Sequence, residues 1–262
     1  MPTLKSKSPV KNSTLLTYFS LFLPFFLMMS CYGKKQIVIA DSLQNNSTRW
    51  EAITKGGGLK IGKTKFGPYR TINSEKLDSA KLKTKSYSFW DLHFNASDET
   101  ETKRKVYSLD IVRGNDTAKV LLYVKITNYL HFKGAFSILD EDTSQEIQEA
   151  KGKIVINSSK EPWEFLVYPY GVASFRSSNI YGLLWSQNDT INVKPVSTLL
   201  NLNEGRHLSA QSKGLVLEEK GKTIAAIQLL GKNYIWINRD IPKETQLVIA
   251  GLFSTILSSK NL

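Results

Sequence analysis

Cysteine is all but missing from this sequence: Cys31 stands alone among 262 residues. No disulfide can close within one chain, so the fold must be held by its core. Histidine is nearly as scarce. His93, His131 and His207 lie far apart without metal-ligand spacing, and no serine sits in a nucleophile-elbow pattern. All three histidines therefore read as surface or structural residues. Nor does any apolar run reach the roughly 20 residues of a spanning helix. Acids are outnumbered, 23 against 35 lysines and arginines, for a net charge of +12. The lysines are scattered and set beside acids, as in Glu75-Lys76 and Glu218-Glu219-Lys220, which reads as a solvated surface rather than a nucleic-acid face.

What the chain does have begins at its N-terminus. Lys5, Lys7 and Lys11 appear with no acid before residue 31, and Leu15 to Met29 then form an apolar run interrupted by Pro24. A basic start followed by such a run is the build of a secretory signal. The run stops at Ser30-Cys31. This segment resembles a bacterial lipoprotein signal peptide, in which a small residue precedes an acylated cysteine that becomes the mature N-terminus. The third place before Cys31 holds Met28 where leucine is commoner. The resemblance implies lipidation at Cys31 and attachment to a membrane through its acyl chains. Tyr32, in place of the aspartate that favours inner-membrane retention, implies the outer membrane if the cell is Gram-negative.

Loss of residues 1–30 leaves 232 residues and, as three lysines go with them, takes the charge from +12 to +9. Residues 31–48 read as the lipidated cysteine and a polar tether, with Gln36 to Ala40 a possible first strand inside it. Residues 49–262 read as a single β-rich domain, long enough to bury a sizeable core.

Within that domain, short β-branched and aromatic runs recur between turn signals. They include Phe66 to Asn73, Lys85 to Phe94, Lys105 to Arg113, Thr117 to Thr127, Gly134 to Leu139 and Lys153 to Asn157. The series continues through Trp163 to Tyr168, Val172 to Phe175, Ile180 to Trp185 and Thr190 to Val196. Val106 to Val112 and Thr117 to Thr127, joined across Gly114-Asn115, form the clearest hairpin. Trp90, Trp163, Trp185 and Trp236 fall in such runs and read as fillers of a β core.

The C-terminal part carries the most architectural information. Leu215 to Glu219 turns at Lys220-Gly221 into Thr223 to Leu230, and Gly231-Lys232-Asn233 turns again into Tyr234 to Ile237. Pro242 and Glu244 suit the first turn of a helix. That helix, 243–258, is apolar nearly all round, so it must be buried on every side. The fold expected is mainly β, an antiparallel β-barrel enclosing a C-terminal hydrophobic helix. The alternative is a β-sandwich with the helix packed on one face. The order over Gly214 to Leu257 resembles the tubby-like and LURP-one-like fold, whose family includes lipid-associated members; none of their binding residues can be placed on this chain.

One stretch points elsewhere. Gly57-Gly58-Leu59-Lys60-Ile61-Gly62-Lys63-Thr64 matches the phosphate-binding pattern G-x-x-x-x-G-K-[ST]. A phosphate-binding loop needs a helix beginning at its lysine, and Gly67-Pro68 would break one in its first turn. The stretch reads as a hairpin tip, without ATP. Asp140 to Glu146 carries alternating carboxylates but lacks the central glycine of a calcium loop, and reads as a solvated acidic turn. No cofactor and no catalytic residue is assigned. The expected function is a lipid-anchored, exported envelope protein, more a binding or structural module than an enzyme. Its expected partners are the membrane and a lipid, glycan or envelope protein, with no nucleic acid. The alternative is a hydrolase of envelope glycans or lipids whose groups come from separate loops.

Overall fold

Tyr107, Leu109 and Ile111 are buried while Ser108 and Asp110 between them are only half-buried, the period of a strand with one face on a core. That alternation repeats around the molecule. The computed structural model describes residues 35–56, 62–87, 97–132, 143–159, 161–170, 181–201 and 206–259. Cys31 and the signal segment lie outside the described residues, as do the runs read at Gly134 to Leu139 and Val172 to Phe175.

The strands are β1 (Lys35–Ile37), β2 (Ser47–Glu51), β3 (Ile53–Lys55), β4 (Lys63–Phe66), β5 (Tyr69–Tyr87), β6 (Ser97–Arg113) and β7 (Asp116–Phe132). They continue with β8 (Thr143–Ile156), β9 (Trp163–Tyr170), β10 (Gly182–Trp185), β11 (Thr190–Asn201), β12 (Arg206–Glu219), β13 (Lys222–Gln228) and β14 (Tyr234–Asn238). A short helix α1 (Asp41–Asn46) follows β1, and α2 (Lys243–Ser259) ends the fold. The sheet runs β2-β14-β13-β12-β11-β10-β9-β8-β7-β6-β5-β4-β3, with β1 paired onto β11 off this path. The two ends of the path, β2 and β3, are separated in sequence by Ala52 alone. One kinked strand therefore pairs with β14 through its first half and with β4 through its second, which nearly closes the sheet into a barrel.

Helix α2 runs inside. Leu247, Val248, Ile249 and Ala250 are consecutive and all buried, so every side of the helix meets protein. Its neighbours include β4, β6, β7 and β8. Fully burying a leucine, isoleucine or phenylalanine side chain contributes about 1.5–3 kcal/mol, and α2 supplies six of them. This is the barrel with an enclosed helix, and the sandwich alternative falls away. The Pro242 carbonyl accepts from Gln246 N at 3.0 Å, which makes Pro242 the cap and Lys243 the first helical residue. At that end Gln246 gathers the surrounding chain. Its Oε1 accepts from Tyr69 Oη at 3.2 Å and Arg113 Nη1 at 3.0 Å, while its Nε2 donates to the Arg239 and Ile241 carbonyls.

Two hairpins have the turns their residues require. Gly114-Asn115 joins β6 to β7 with Gly114 at φ +61°, and Lys220-Gly221 joins β12 to β13 with φ of +49° and +78°. Other readings need correction. Phe66 to Asn73 is not one strand: Gly67-Pro68 is a hairpin turn, and Phe66 faces Tyr69 across it. Of the run Lys85 to Phe94, Lys85 to Tyr87 belong to β5 and the rest lies outside the described residues. Thr143 to Glu146 is strand, not turn; 140–142 lie outside.

The span read as a tether, 31–48, belongs to the folded body from Lys35 onward. Ile37, Ile39 and Leu43 are buried with Val196, Leu199, Ala226 and Trp236 in a second, smaller core on the outside of the barrel. Gln228 fastens it, accepting from Ile37 N at 3.0 Å and donating to the carbonyls of Lys35, Leu230 and Lys232. A single buried leucine in an otherwise polar helix is too thin a pattern to announce this packing.

Candidate functional site

With α2 filling its middle, the barrel presents its free chemistry on its walls. Two cationic features stand out among the described residues. The first lies on the long hairpin of β5 and β6. Glu101, Lys103 and Lys105 share a strand face with Tyr107, Leu109 and Ile111, the face turned to the helix. Across the ladder, Lys83 is opposite Glu101, Lys81 opposite Lys103 and Lys76 opposite Tyr107. Directly opposed residues project to the same side of a sheet. Five lysines therefore surround one glutamate.

The register of β5 produces this cluster. The pairing with β6 skips Ile72 and again Leu77. An extra residue reverses which side chains face which way. The bulge at Leu77 is what puts Lys76 in phase with Lys81 and Lys83. Beyond Arg70 the strand pairs only with β6, and lysines along such an edge also ward off stray pairing.

Glu101 holds three of the cations. Its Oε1 lies 3.1 Å from Lys81 Nζ and 3.0 Å from Lys103 Nζ, and its Oε2 lies 3.5 Å from Lys83 Nζ. Hydrogen bonds from Lys103 and Lys81 bring its carboxyl down to about 2 from 4.5. A carboxylate held ionised in this way is a poor proton donor. Burial, and then the positive charges of Lys76 and Lys103, push the Lys105 ammonium below its usual range. Net positive charge thus accumulates where it costs the fold something, the condition in which an anion binds well.

The second feature is a cleft of about 500 Å³ where β4 and β5 part. These strands pair only at Phe66–Tyr69 and Lys65–Arg70. Lower down, side chains take over the bonding: Thr71 Oγ1 accepts from Thr64 N at 3.3 Å, and Lys63 Nζ donates to the Ile72 carbonyl at 3.2 Å. Lys55, Lys63, Lys65 and Arg70 line the cleft with Ile53, while the buried Thr64 and Thr71 lie at its floor. Beneath the floor, Ser258 Oγ donates to the Gly62 carbonyl at 2.7 Å and lies 3.3 Å from Thr64 Oγ1.

This cleft stands in the stretch that imitates a phosphate-binding loop. Residues 57–61 lie outside the described residues, but Lys63 and Thr64 open strand β4 where such a loop would begin a helix, and β3 pairs antiparallel with β4. The stretch is a hairpin connection, as its glycines indicate.

The remaining candidates do not converge. His131 and His207 lie on the non-adjacent strands β7 and β12, and His93 lies outside the described residues, as does Trp90. Among the described residues no group of three or more His, Cys, Asp or Glu could hold a metal ion. Trp163 and Trp236 are core residues and Trp185 is half-buried. Among the described residues no helix is long and apolar enough to cross a membrane. No protein-family model, curated protein or solved structure matches the chain.

The lysine cluster was beyond a reading of the sequence, because its members come into phase only through the Leu77 bulge. The signal for the cleft was the lysine-rich hairpin itself, without the chemistry its pattern advertises.

Proposed function

We propose that this protein is an exported, lipid-anchored envelope protein, held by acyl chains on Cys31, whose barrel is a non-enzymatic module that binds an anionic glycan. The observation that carries the binding role is the gathering of Lys76, Lys81, Lys83, Lys103 and Lys105 around Glu101 on one face. Lysines two residues apart on a strand repeat at about 6.7 Å. Rows of that spacing suit an extended polyanion, whose charges recur along its length, better than a compact ligand. The basic, apolar N-terminus ending at the sole cysteine supports the anchor and the exported location. A C-terminal helix buried within a β-barrel supports the tubby-like resemblance at the level of fold.

The test is binding of the protein to a uronate-bearing polysaccharide and to neutral dextran, with Lys81→Gln, Lys83→Gln and Lys103→Gln combined as the variant. Wild type should bind the uronate polymer in a salt-sensitive manner and ignore dextran. The variant should bind at least about ten-fold more weakly, because each charged hydrogen bond lost costs about 1.5–3 kcal/mol. Equal affinity of variant and wild type would remove the binding role from this face.

A further inference from the structure

We infer that the β4–β5 cleft is a second site, distinct from the lysine cluster, and that it receives the phosphate headgroup of an anionic phospholipid in the membrane holding Cys31. The inference rests on the anchor reading above.

Charge comes first. Lys55, Lys63, Lys65 and Arg70 line the cleft and no carboxylate does. Among the described residues, Lys55, Lys65 and Arg70 make no ion pair. Thr64 and Thr71 bring hydroxyls to the floor. Four cations over hydroxyl groups are the donors a phosphate oxygen accepts from.

Apolar exposure comes second. Ile53 at the cleft and Ile72 on the neighbouring strand are 53% and 47% exposed. Isoleucines beside basic side chains make the amphipathic surface that settles at the boundary between headgroups and acyl chains. A site for a free phosphate ion has no need of them.

Position comes third. Cys31 stands four residues before Lys35, a span of about 14 Å even when fully extended. Gln228 Nε2 bonds the carbonyls of both Lys35 and Lys232, and Lys232 Nζ lies 3.1 Å from Glu51, two residues before Ile53. Lys35, the end of β13 and the cleft hairpin thus share one end of the barrel. A short leash from the acylated cysteine brings that end to the headgroups. One acyl signal alone binds membranes marginally, and a basic surface is a usual second.

The experiment uses the protein extracted from its own envelope and reconstituted into nanodiscs of phosphatidylcholine, with and without phosphatidylglycerol. Hydrogen–deuterium exchange is read at residues 53–55 and 63–72. Each engaged cation is worth about a five-fold gain at an anionic surface, so two of them should slow exchange by at least about ten-fold with phosphatidylglycerol. High salt should erase the effect. Lys55→Gln, Lys63→Gln, Lys65→Gln and Arg70→Gln combined should abolish it while the protection of α2, the check on folding, is unchanged.

Identical exchange in the two discs would overturn the inference, as would protection that survives in the variant. Equal protection by inorganic phosphate in phosphatidylcholine discs would replace the lipid with a free anion and overturn it also. A protein that stays out of both discs would refute the anchor instead. Cosedimentation with phosphatidylglycerol vesicles then decides the cleft: pelleting upholds it and failure to pellet overturns it.

Discussion

Thr64 Oγ1 lies 3.3 Å from Ser258 Oγ, so the floor of the surface cleft rests on the last turn of the helix that fills the barrel. Cleft and core therefore share a hydrogen-bond network, because Ser258 also donates to the Gly62 carbonyl beside the cleft. Replacing Ser258 by alanine leaves that carbonyl and the Thr64 hydroxyl without this buried partner. An unmet buried polar group costs about 1–3 kcal/mol. Thermal unfolding of Ser258→Ala should move down by roughly 3–8 °C; an unchanged midpoint would mean the network carries no load.

Within α2, adjacent positions should respond very differently. Phe253 is fully buried, and Phe253→Ala should lose about 3–5 kcal/mol in denaturant unfolding. Gly251 has room for a methyl group, whose nearest neighbours, Ile154 Cδ1 and Val120 Cγ2, would be 3.4 Å away. Alanine also favours helix by up to about 1 kcal/mol over glycine. Gly251→Ala should therefore be neutral or mildly stabilising. A large loss there would mean that the wall of β7 and β8 cannot give at all.

Acid should act on Glu101. Its folded carboxyl is depressed to about 2 from 4.5, so the stability it contributes is complete above about 4.5 and is lost as pH falls toward 2. Glu101→Gln should melt lower than wild type near neutrality, and the gap should close as pH drops through that window. A gap that stays constant down to acid pH would show that the three lysines do not hold this carboxylate in solution.

Lys76 should be a burden on the empty domain. Its charge helps depress the Lys105 ammonium, and the bulge places it on the same face. Lys76→Gln should raise the melting temperature by about 1–2 °C at low salt and by less at high salt, while weakening polyanion binding. A variant that is less stable, or stabilised equally at all salt concentrations, would refute the repulsion.

Much of this architecture is legible from residues alone, and the gaps have physical causes. The stretch from Leu247 to Leu257 announces its helix because it is apolar on all sides and starts after Pro242. The β6–β7 hairpin announces itself through Gly114, which alone tolerates the turn conformation cheaply. By contrast, Asn73 to Thr84 carries no apolar alternation. It is a strand because β6 holds it through a long ladder, and neither of its bulges can be read without that partner. Polarity was misleading again between Asp41 and Ser47, where one leucine and a distant glutamine, Gln228, pin the segment to the barrel.

That pinning is itself open to test. Gln228→Leu would deprive Ile37 N and three carbonyls of their partner. Limited proteolysis should then cut between residues 35 and 46 far sooner than in wild type, with the barrel fragment surviving. Resistance equal to wild type would mean that the apolar contacts of Ile37, Ile39 and Leu43 suffice without the amide.

The most direct test of the whole account is the mass of the N-terminal peptide of the protein as it exists in its own envelope. The account predicts a chain that begins at Cys31 and carries acyl chains on it, with residues 1–30 removed. A chain that keeps residues 1–30, begins elsewhere, or carries an unmodified Cys31 thiol would contradict it.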